Sequence, residues 1–304
     1  MYKYLKYLVH VITIACCLQS RPVSCACGGN LPWGEIITLP QDQHGKYKNN
    51  LECTFQAKFQ ASIAPNVLEL SWYDFEIAGI LPNCDTDYVE IFVSCSYTSI
   101  GKFCGKRKPS AVISPDRCLR LVFHSDDAVA GRGFKARLIV AAKPRGLLHL
   151  YNRRQQVKLN SSSESGLVSS PGYPARYPAQ CESQTLTFET TLQRMGVRIY
   201  FMDFDTQGSG ICQSPKDDIL TIKVWKSNGE VVMFKLCGQR EPFYLTWTGD
   251  HLRISIKFTS NNDSFVSRGF VAGYIFYQLP GKSTGSIMIG TVASVALPYL
   301  CLIL

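Results

Sequence analysis

The chain has 304 residues, of which 32 are Lys or Arg and 23 are Asp or Glu, and its formal net charge is +9. It has no Gly-X-Y period, no heptad repeat and no polar tract of domain size, so collagenous, coiled-coil and disordered proteins are excluded. The length suits one large domain or two ordinary ones, and apolar segments at both termini account for part of the 46% hydrophobic composition.

Residues 1–26 have the layout of a secretory signal peptide. Lys3 and Lys6 precede an uncharged apolar stretch, and small residues ending at Ala26 place the cleavage site before Cys27. We therefore predict a secreted chain. Removal of the segment takes away three basic residues and no acid, which lowers the net charge from +9 to +6. That charge is too mild and diffuse to indicate nucleic-acid binding.

Between the termini, apolar residues alternate with polar ones at the period of a β-strand. The clearest segments are Leu119–Phe123, Leu220–Val224 and Leu252–Phe258, in which every second residue is apolar. Gly, Pro, Asn and Asp separate many such segments, and no amphipathic helix of convincing length interrupts them. The pattern predicts an all-β chain of antiparallel sandwiches.

The strand pattern occurs twice, which predicts two domains in tandem. The repeated pieces, first copy and then second, are Trp72–Glu76 and Phe201–Asp205, Cys84–Ile91 and Cys212–Ile222, Phe103–Gly105 and Leu236–Gly238, and Arg132–Ala136 and Arg268–Ala272. We place the first domain at residues 27–142, a basic linker at 143–158 and the second domain at 159–278.

The carboxyl terminus resembles a signal for attachment of a GPI lipid anchor. A polar stem, residues 279–286, precedes an uncharged apolar tail, residues 287–304, which Pro298 interrupts and no Lys or Arg follows. We predict lipid attachment at Ser283 and display on the extracellular face of the plasma membrane. A retained single membrane span and a soluble secreted form are the alternatives.

The two units resemble CUB domains. The residues that carry the resemblance in the first unit are Cys27-Gly-Gly, Cys53, Cys84-x-x-Asp87-Tyr-Val-x-Ile91, Phe103-Cys104-Gly105, Phe123-x-Ser125-Asp126 and Gly133-Phe134. Those of the second unit are Ser170-Pro171-Gly-Tyr173-Pro174, Tyr177-Pro178, Cys181, Cys212, Leu236-Cys237-Gly238 and Gly269-Phe270. The resemblance implies two jelly-roll-like β-sandwiches in an extracellular protein, and modules of this kind usually bind other proteins.

Nine cysteines remain in the predicted mature chain, and an oxidising compartment favours their pairing. The resemblance implies the disulfides Cys27–Cys53, Cys84–Cys104 and Cys212–Cys237. Cys95 and Cys118 lie outside the family pattern and form either a further bridge or two buried free thiols. Cys181 resembles the second cysteine of the family's first pair, for which the linker offers no partner. It then forms a disulfide-linked dimer or stays a buried free thiol, and the third possibility is cleavage before Cys25, which would retain a tenth thiol.

Many CUB domains hold calcium with one Glu and two Asp from neighbouring loops, and such oxygen ligands suit this cation. In the first unit the resemblance places the two Asp at Asp87 and Asp126, while Ala78 occupies the Glu position. This is a partial calcium site; without calcium, the two carboxylates are expected to accept hydrogen bonds from loop amides. The corresponding residues of the second unit are Gln207, Asp218 and Asn261, and there we expect no calcium.

No arrangement of residues typical of catalysis is found, so we predict that the chain is not an enzyme. The histidines outside the signal peptide are scattered, and neither a zinc-binding His-Glu-x-x-His nor a Gly-x-Ser-x-Gly motif occurs. Two basic clusters attract sulfated glycans or acidic proteins, or simply keep loops solvated. The clusters comprise Lys102, Lys106, Arg107 and Lys108, and Lys143, Arg145, Arg153, Arg154 and Lys158. Asn160 and Asn262 head glycosylation sequons.

From these features we predict a non-catalytic cell-surface module that binds a receptor, channel or matrix protein through CUB loops, as an accessory or adhesion component. The expected contacts lie at the loop end of the first unit, where aromatic and charged side chains favour binding; they are Tyr73, Asp87, Tyr88, Asp126 and Asp127. Two alternatives stay open, namely an enhancer or scaffold for an extracellular protease and a glycan-binding CUB protein.

Overall fold

A computed structural model describes residues 27–59, 66–150, 157–160, 165–183, 185–225 and 229–280. The predicted signal peptide, Ser283 and the apolar tail lie outside these ranges. All regular elements in the described ranges are β-strands, so the all-β prediction is confirmed. The same ranges contain no helix long and apolar enough to cross a membrane.

The first sandwich consists of nine strands in two sheets. The strands are β1 (Gly29–Asn30), β2 (Ile36–Thr38), β3 (Glu52–Lys58), β4 (Val67–Glu76), β5 (Tyr88–Val93), β6 (Ser99–Phe103), β7 (Val112–Ser114), β8 (Cys118–His124) and β9 (Gly133–Ala141). One sheet has the order β1-β3-β8-β5-β6 and the other β2-β9-β4-β7. All pairs are antiparallel except β1 with β3.

The second sandwich repeats this topology and adds two strands. Its strands are β10 (Leu147–His149), β11 (Val157–Asn160), β12 (Ser165–Ser169), β13 (Leu186–Glu189), β14 (Met195–Asp205), β15 (Ile219–Trp225), β16 (Val231–Leu236), β17 (Gln239–Arg240), β18 (Phe243–Gly249), β19 (Arg253–Thr259) and β20 (Gly269–Gln278). One sheet has the order β11-β13-β19-β15-β16, which matches the five-stranded sheet of the first sandwich. The other has the order β10-β12-β20-β14, with β17 and β18 both pairing with β14.

Part of the segment predicted as a linker belongs to the second sandwich. Leu147–His149 pairs in parallel with Leu167–Ser169 as β10, and Val157 already starts β11. Ahead of β10, the backbone N–H of Arg145 donates to the buried carboxylate of Glu69 in the first sandwich. The connection is therefore bound to both domains over much of its described length, rather than being a free tether.

The alternation seen in the sequence fills the two cores. Strands β5, β8 and β15 each alternate half-buried and buried residues, and the buried ones point between their two sheets. At the centre of the first core the Trp72 indole packs edge-to-face on Phe75 and Phe134 and donates its N–H to the carbonyl of Ser110. Each sandwich thus forms the two-layer structure that its sequence pattern requires.

Within the described ranges, four disulfides connect the loops and strand ends. Cys27–Cys53, Cys84–Cys104 and Cys212–Cys237 form the pairs implied by the family resemblance. Cys95 and Cys118, whose pairing the sequence left open, form the fourth. Three of the four bridges lie in the first domain, so a disulfide holds each end of its five-stranded sheet.

The long strands of the second sandwich are buried on both faces. All of β14 except its last residue is buried, and β20 is buried from Gly269 to Tyr277. One face of these strands forms the core of the second sandwich. The other face packs on the first sandwich, because Tyr200, Met202 and Tyr277 belong to the same continuous apolar cluster as Phe103 and Ile113. The two domains therefore share an apolar interface, which we call the domain interface.

Arg198 lies at the centre of the domain interface and is 2% exposed. Its guanidinium donates to the carbonyl of Lys102 at 2.5 Å and to that of Pro82, and its carbon Cζ lies 4.8 Å from the ring centre of Tyr244. No carboxylate of the described residues faces it, and burial lowers the pKa of Arg198. Two carbonyls and an aromatic face thus replace water around a buried cation.

The neighbouring side chains on β14 complete the domain interface. The hydroxyl of Tyr200 lies 2.5 Å from the hydroxyl of Ser110 and accepts the N–H of that residue, while the Tyr200 ring packs edge-to-face on Phe103. Gly101 of β6 has a φ of +114°, and a methyl group on it would approach both Arg198 and Tyr244 to 3.3 Å. The close approach of the domains and the positive φ both favour glycine at this position.

Candidate binding site at the loop end of the first domain

A buried Tyr–Asp pair organises the loop end of the first domain. The Tyr47 hydroxyl donates to Asp87 Oδ2 at 2.5 Å and accepts the N–H of Ala78, while the N–H of Asp126 donates to Asp87 Oδ1 at 2.8 Å. Burial raises the pKa of both Asp87 and Tyr47. One carboxylate therefore joins three loops, and both of its oxygens accept hydrogen bonds.

The second domain contains the same arrangement with different flanking residues. The Tyr177 hydroxyl donates to Asp218 Oδ2 at 2.7 Å and accepts the N–H of Gln207, while the N–H of Asn261 donates to Asp218 Oδ1 at 2.7 Å. The matching contacts align Gln207 with Ala78 and Asn261 with Asp126. This alignment agrees with the one that the family resemblance implied, and the expected loop-amide hydrogen bonds to Asp87 and Asp126 are present.

The donor sets of the two loop ends fit calcium poorly. In the second domain, the amide groups of Gln207 and Asn261 donate to Asp263 and to the carbonyl of Lys216, so amide N–H donors occupy the place of a cation. In the first domain, Asp87 and Asp126 remain, but Ala78 contributes no ligand, and the described residues form no cluster of three or more His, Cys, Asp or Glu able to hold a metal. Ca²⁺ takes about six to eight oxygen ligands from carboxylates, carbonyls and water, and the first domain supplies two of the three carboxylates that the resemblance implies.

Restoring the absent carboxylate provides a test of this chemistry. We expect Ala78→Glu to raise the calcium affinity of the mature chain at least tenfold, because a third carboxylate adjoins Asp87 and Asp126. Calorimetric titration with Ca²⁺ measures the change. Gln207→Glu is the matched control and should leave the affinity unchanged, because Asn261 still lacks a charge. Equal calcium binding by the wild-type chain and Ala78→Glu would contradict this account of the first domain.

A concave pocket of about 640 Å³ adjoins the Tyr–Asp pair of the first domain. We call it the loop-end pocket; its lining includes Lys46, Glu76, Ala78, Ile80, Asp85, Lys106, Asp126, Val129 and Arg132. Glu76 accepts from Arg132 and forms an ion pair with Lys106, and these cations lower the pKa of Glu76. Ile80 is 58% exposed and Val129 is 72% exposed. The pocket thus combines both signs of charge with two exposed aliphatic side chains.

The predicted contact residues do not form one surface. Asp87 is 1% exposed and its carboxylate is occupied by internal donors, which corrects the expectation that it contacts a partner. Asp126 lines the loop-end pocket, and Asp127 beside it is exposed. These two residues remain available at the loop end.

The two predicted aromatic contacts lie on different sheets. Tyr88 of β5 stacks on the His124 ring with 5.0 Å between centroids, and the Lys102 ammonium lies 3.8 Å from its ring centre. Tyr73 is the inserted residue of a β-bulge in β4 and is 54% exposed. Sequence reasoning missed Tyr47, Ile80 and Val129; the match between Tyr47 and Tyr177 in the repeat is the signal that could have identified the first of them.

Most of the first basic cluster is engaged within the protein. Lys102 covers Tyr88, Lys106 pairs with Glu76, and Arg107 donates to the carbonyl of Phe276 across the domain interface. Arg153 and Arg154 of the second cluster lie outside the described residues. Of the two glycosylation sequons, Asn160 ends β11 and Asn262 lies in a bend, and both side chains are exposed.

Cys181 occupies a core position rather than the position of a lost disulfide partner. Its N–H and C=O bond to Ser260 in the same way that those of Leu51 bond to Ser125. It follows four residues after Tyr177, as Leu51 follows Tyr47. The residue equivalent to Cys53 is therefore Ser183, so the alignment of Cys181 with the family's first cysteine pair is wrong.

Cys181 is 1% exposed and is unpaired within the described part of the chain. Burial raises the pKa of its thiol, which keeps it protonated and unreactive. We expect a monomer on non-reducing electrophoresis and no labelling by maleimide until urea is added. Cys181→Ala should lower the free energy of unfolding by about 1 kcal/mol, because it removes the sulfur of a small buried side chain. If the wild type runs as a dimer and Cys181→Ala runs as a monomer, Cys181 forms an intermolecular disulfide and the expectation is wrong.

The comparison with known proteins assigns the family. The profile of the CUB domain matches residues 27–138 and 158–274, which together cover most of the chain. The chain therefore belongs to the CUB domain family, with two copies of the domain in tandem.

Curated relatives share about a quarter of their residues with this chain over the aligned length. Tolloid-like protein 1 of Homo sapiens is 28% identical over 286 residues, covering 83% of this chain and 27% of the relative. Cubilin of Rattus norvegicus is 28% identical over 255 residues, covering 82% and 6%, and neuropilin-1 of Homo sapiens is 26% identical over 206 residues, covering 64% and 20%. The chain thus spans a small part of the length of each.

Solved structures of CUB domains also align with the chain. The CUB1-EGF-CUB2 domain of human MASP-1/3 aligns with a TM-score of 0.32 and 19% identity, covering 80% of this chain and 99% of that one. The MASP-1 CUB2 domain bound to Ca²⁺ aligns with a TM-score of 0.31 and 24% identity, covering 37% and 99%.

Proposed function

We propose that this protein is a non-catalytic, extracellular protein-binding module that engages its partner at the loop-end pocket of the first domain. The observation that carries the proposal is the pair of exposed aliphatic side chains, Ile80 and Val129, beside the charged groups of that pocket. Apolar anchors surrounded by polar and charged groups are typical of protein-binding surfaces. The buried Tyr–Asp pair and the Cys84–Cys104 disulfide hold the loops in place before binding.

The proposed cellular role is that of an accessory or adhesion component at the outer face of the plasma membrane. Lipid attachment at Ser283 would hold the two domains at the membrane surface, with a receptor, channel or matrix protein as partner. A glycan on Asn262 would cover the loop end of the second domain. The first domain would then present the open loop end.

Proximity labelling on intact cells, followed by co-precipitation, tests the proposal. Ile80→Asp and Val129→Asp should each weaken capture of the labelled partner at least tenfold, because a charge replaces an apolar contact. Phe265→Asp is the matched control, since Phe265 is 71% exposed on a loop of the second domain. Capture that persists in both first-domain variants and fails in the control would overturn the choice of site.

The same experiment separates the alternatives. An extracellular protease among the captured proteins, with a cleavage rate raised by the added mature chain, would favour the scaffold function. Retention on heparin that Asp substitution at Ile80 leaves unchanged, without any captured protein, would favour glycan binding. Release of the labelled chain from cells by a phosphatidylinositol-specific lipase tests the anchor.

A further inference from the structure

We propose that edge strand β16 of the second domain, with the groove beside it, binds an acidic, extended segment of a partner protein, which adds a strand to the five-stranded sheet. β16 ends the order β11-β13-β19-β15-β16 and, among the strands that the structure describes, pairs with β15 alone. The backbone N–H and C=O groups on its other side are therefore open to another strand. This surface is distinct from the loop-end pocket of the first domain.

The side chains of β16 are unusual for a free edge. Val231 is 45% exposed, Met233 is 52% exposed and Phe234 is 36% exposed. Soluble proteins usually protect such an edge with charge, proline or a short strand. An edge strand with five apolar residues among its six is instead suited to binding.

The first domain shows what happens at the same edge when it is covered. Its equivalent strand, β6, occupies the same place in the sheet order, and the second domain packs on it through Arg198 and Tyr244. β6 is buried at three of its five residues, whereas none of the six residues of β16 is buried. The repeat therefore contains this edge twice, once as an interface within the chain and once uncovered.

A groove of about 710 Å³ lies beside β16, and most of its exposed lining is polar. Ile211, Pro215, Ile219 and Met233 supply its apolar lining, and Ile211 is 71% exposed. Side chains alternate along a strand, so an added strand would direct every second side chain towards this side of the sheet. Lys235 also lines the groove, so the side chains on this side would meet a cation, and the alternate ones would lie beside Phe234 on the opposite face.

The charge of the surface selects an acidic partner. Lys223 and Lys235 lie on neighbouring strands of the same sheet face, and neither forms an ion pair with another described residue. On the same face, Lys257 is paired with Glu182 and Arg253 covers the ring of Trp225. Pairing with β16 of a second copy would place the lysines of both copies on one sheet face, where like charges repel. An acidic segment complements them instead.

Selection from a displayed library of random twelve-residue peptides on the mature chain tests the proposal. We expect enriched peptides in which Asp or Glu alternates with apolar residues. Their affinity should fall at least tenfold for the charge-reversed double variant Lys223→Glu/Lys235→Glu and fall with added salt. Lys58→Glu/Lys135→Glu, with the same change in net charge on the first domain, is the matched control and should bind like the wild type.

Hydrogen exchange provides the readout specific to strand addition. Bound peptide should slow exchange of the β16 backbone amides and leave that of β6 unchanged. The proposal is overturned if the selected peptides lack acidic residues, if the control weakens binding as much as the β16 variant, or if β16 exchange does not change. It is also overturned if sedimentation shows a dimer that Met233→Lys dissociates, since a second copy then occupies the edge.

Discussion

Arg198→Ala is expected to lower the free energy of unfolding by about 3 kcal/mol, because two interface carbonyls lose their donor and the Tyr244 ring loses a cation. The carbonyls belong to Lys102 and Pro82 of the first domain, so the loss falls on the domain interface. Arg198→Lys keeps the charge but lacks the planar fork that reaches both carbonyls, and should cost an intermediate amount. Chemical denaturation of the mature chain measures both values.

Two further measurements identify the effect with the domain interface. Small-angle X-ray scattering should show a larger maximum dimension for Arg198→Ala than for the wild type. The weakened interface would let the two domains move apart while each is still folded. Arg120→Ala is the matched control: Arg120 covers the Phe92 ring at 3.9 Å on an outer sheet face, and its loss should cost below about 1 kcal/mol. A cost for Arg198→Ala no greater than that of the control would refute a stabilising interface.

Asp218→Ala is expected to cost about 3 kcal/mol, because it leaves one buried and one half-buried donor without an acceptor. These donors are the Tyr177 hydroxyl and the N–H of Asn261, and both lie in the hydrogen-bonded loop end of the second domain. Glu182→Gln removes an exposed ion pair with Lys257 and should cost below about 0.5 kcal/mol. Thermal and urea unfolding of the two variants compare these costs.

The raised pKa of the Asp218 carboxyl also predicts how the stability of the protein changes with pH. Burial raises its pKa above the ordinary value of 3.8, so the folded state binds this proton more readily than the unfolded state. Its contribution to stability therefore falls as pH rises from 3.8 through the raised native pKa. Asp218→Asn does not titrate, so the advantage of the wild type over this variant should be larger at pH 4 than at pH 7. An advantage that grows with pH would show that the native pKa is lowered instead.

The fold was predictable because the alternation that indicates a strand can be seen in residues that are close together in the sequence. Alternation at Leu220–Val224 and Leu252–Phe258 indicated strands whose buried residues meet between two sheets, and the repeat indicated a second copy. The Cys84–Cys104 and Cys212–Cys237 pairs followed from the family resemblance and are present.

Features that depend on distant residues were not predictable in the same way. Ser183, and not Cys181, is the residue of the second domain that is equivalent to Cys53. This equivalence follows from the hydrogen bonds between Cys181 and Ser260, which lies nearly 80 residues further along the chain. The domain interface was missed because a strand buried on both faces and one buried on a single face differ in sequence only by their outer residues. On β14 these are Arg198, Tyr200 and Met202, and an arginine within an apolar strand was the available signal.

The burial of β14 and β20 on both faces also bears on which part of the chain should be produced for experiments. A second domain made alone would expose Tyr200, Met202 and Tyr277 to water, and an exposed apolar patch of this kind favours aggregation. The tandem is therefore the smallest unit in which both faces of these strands are covered. Recombinant work with it should begin from both halves together.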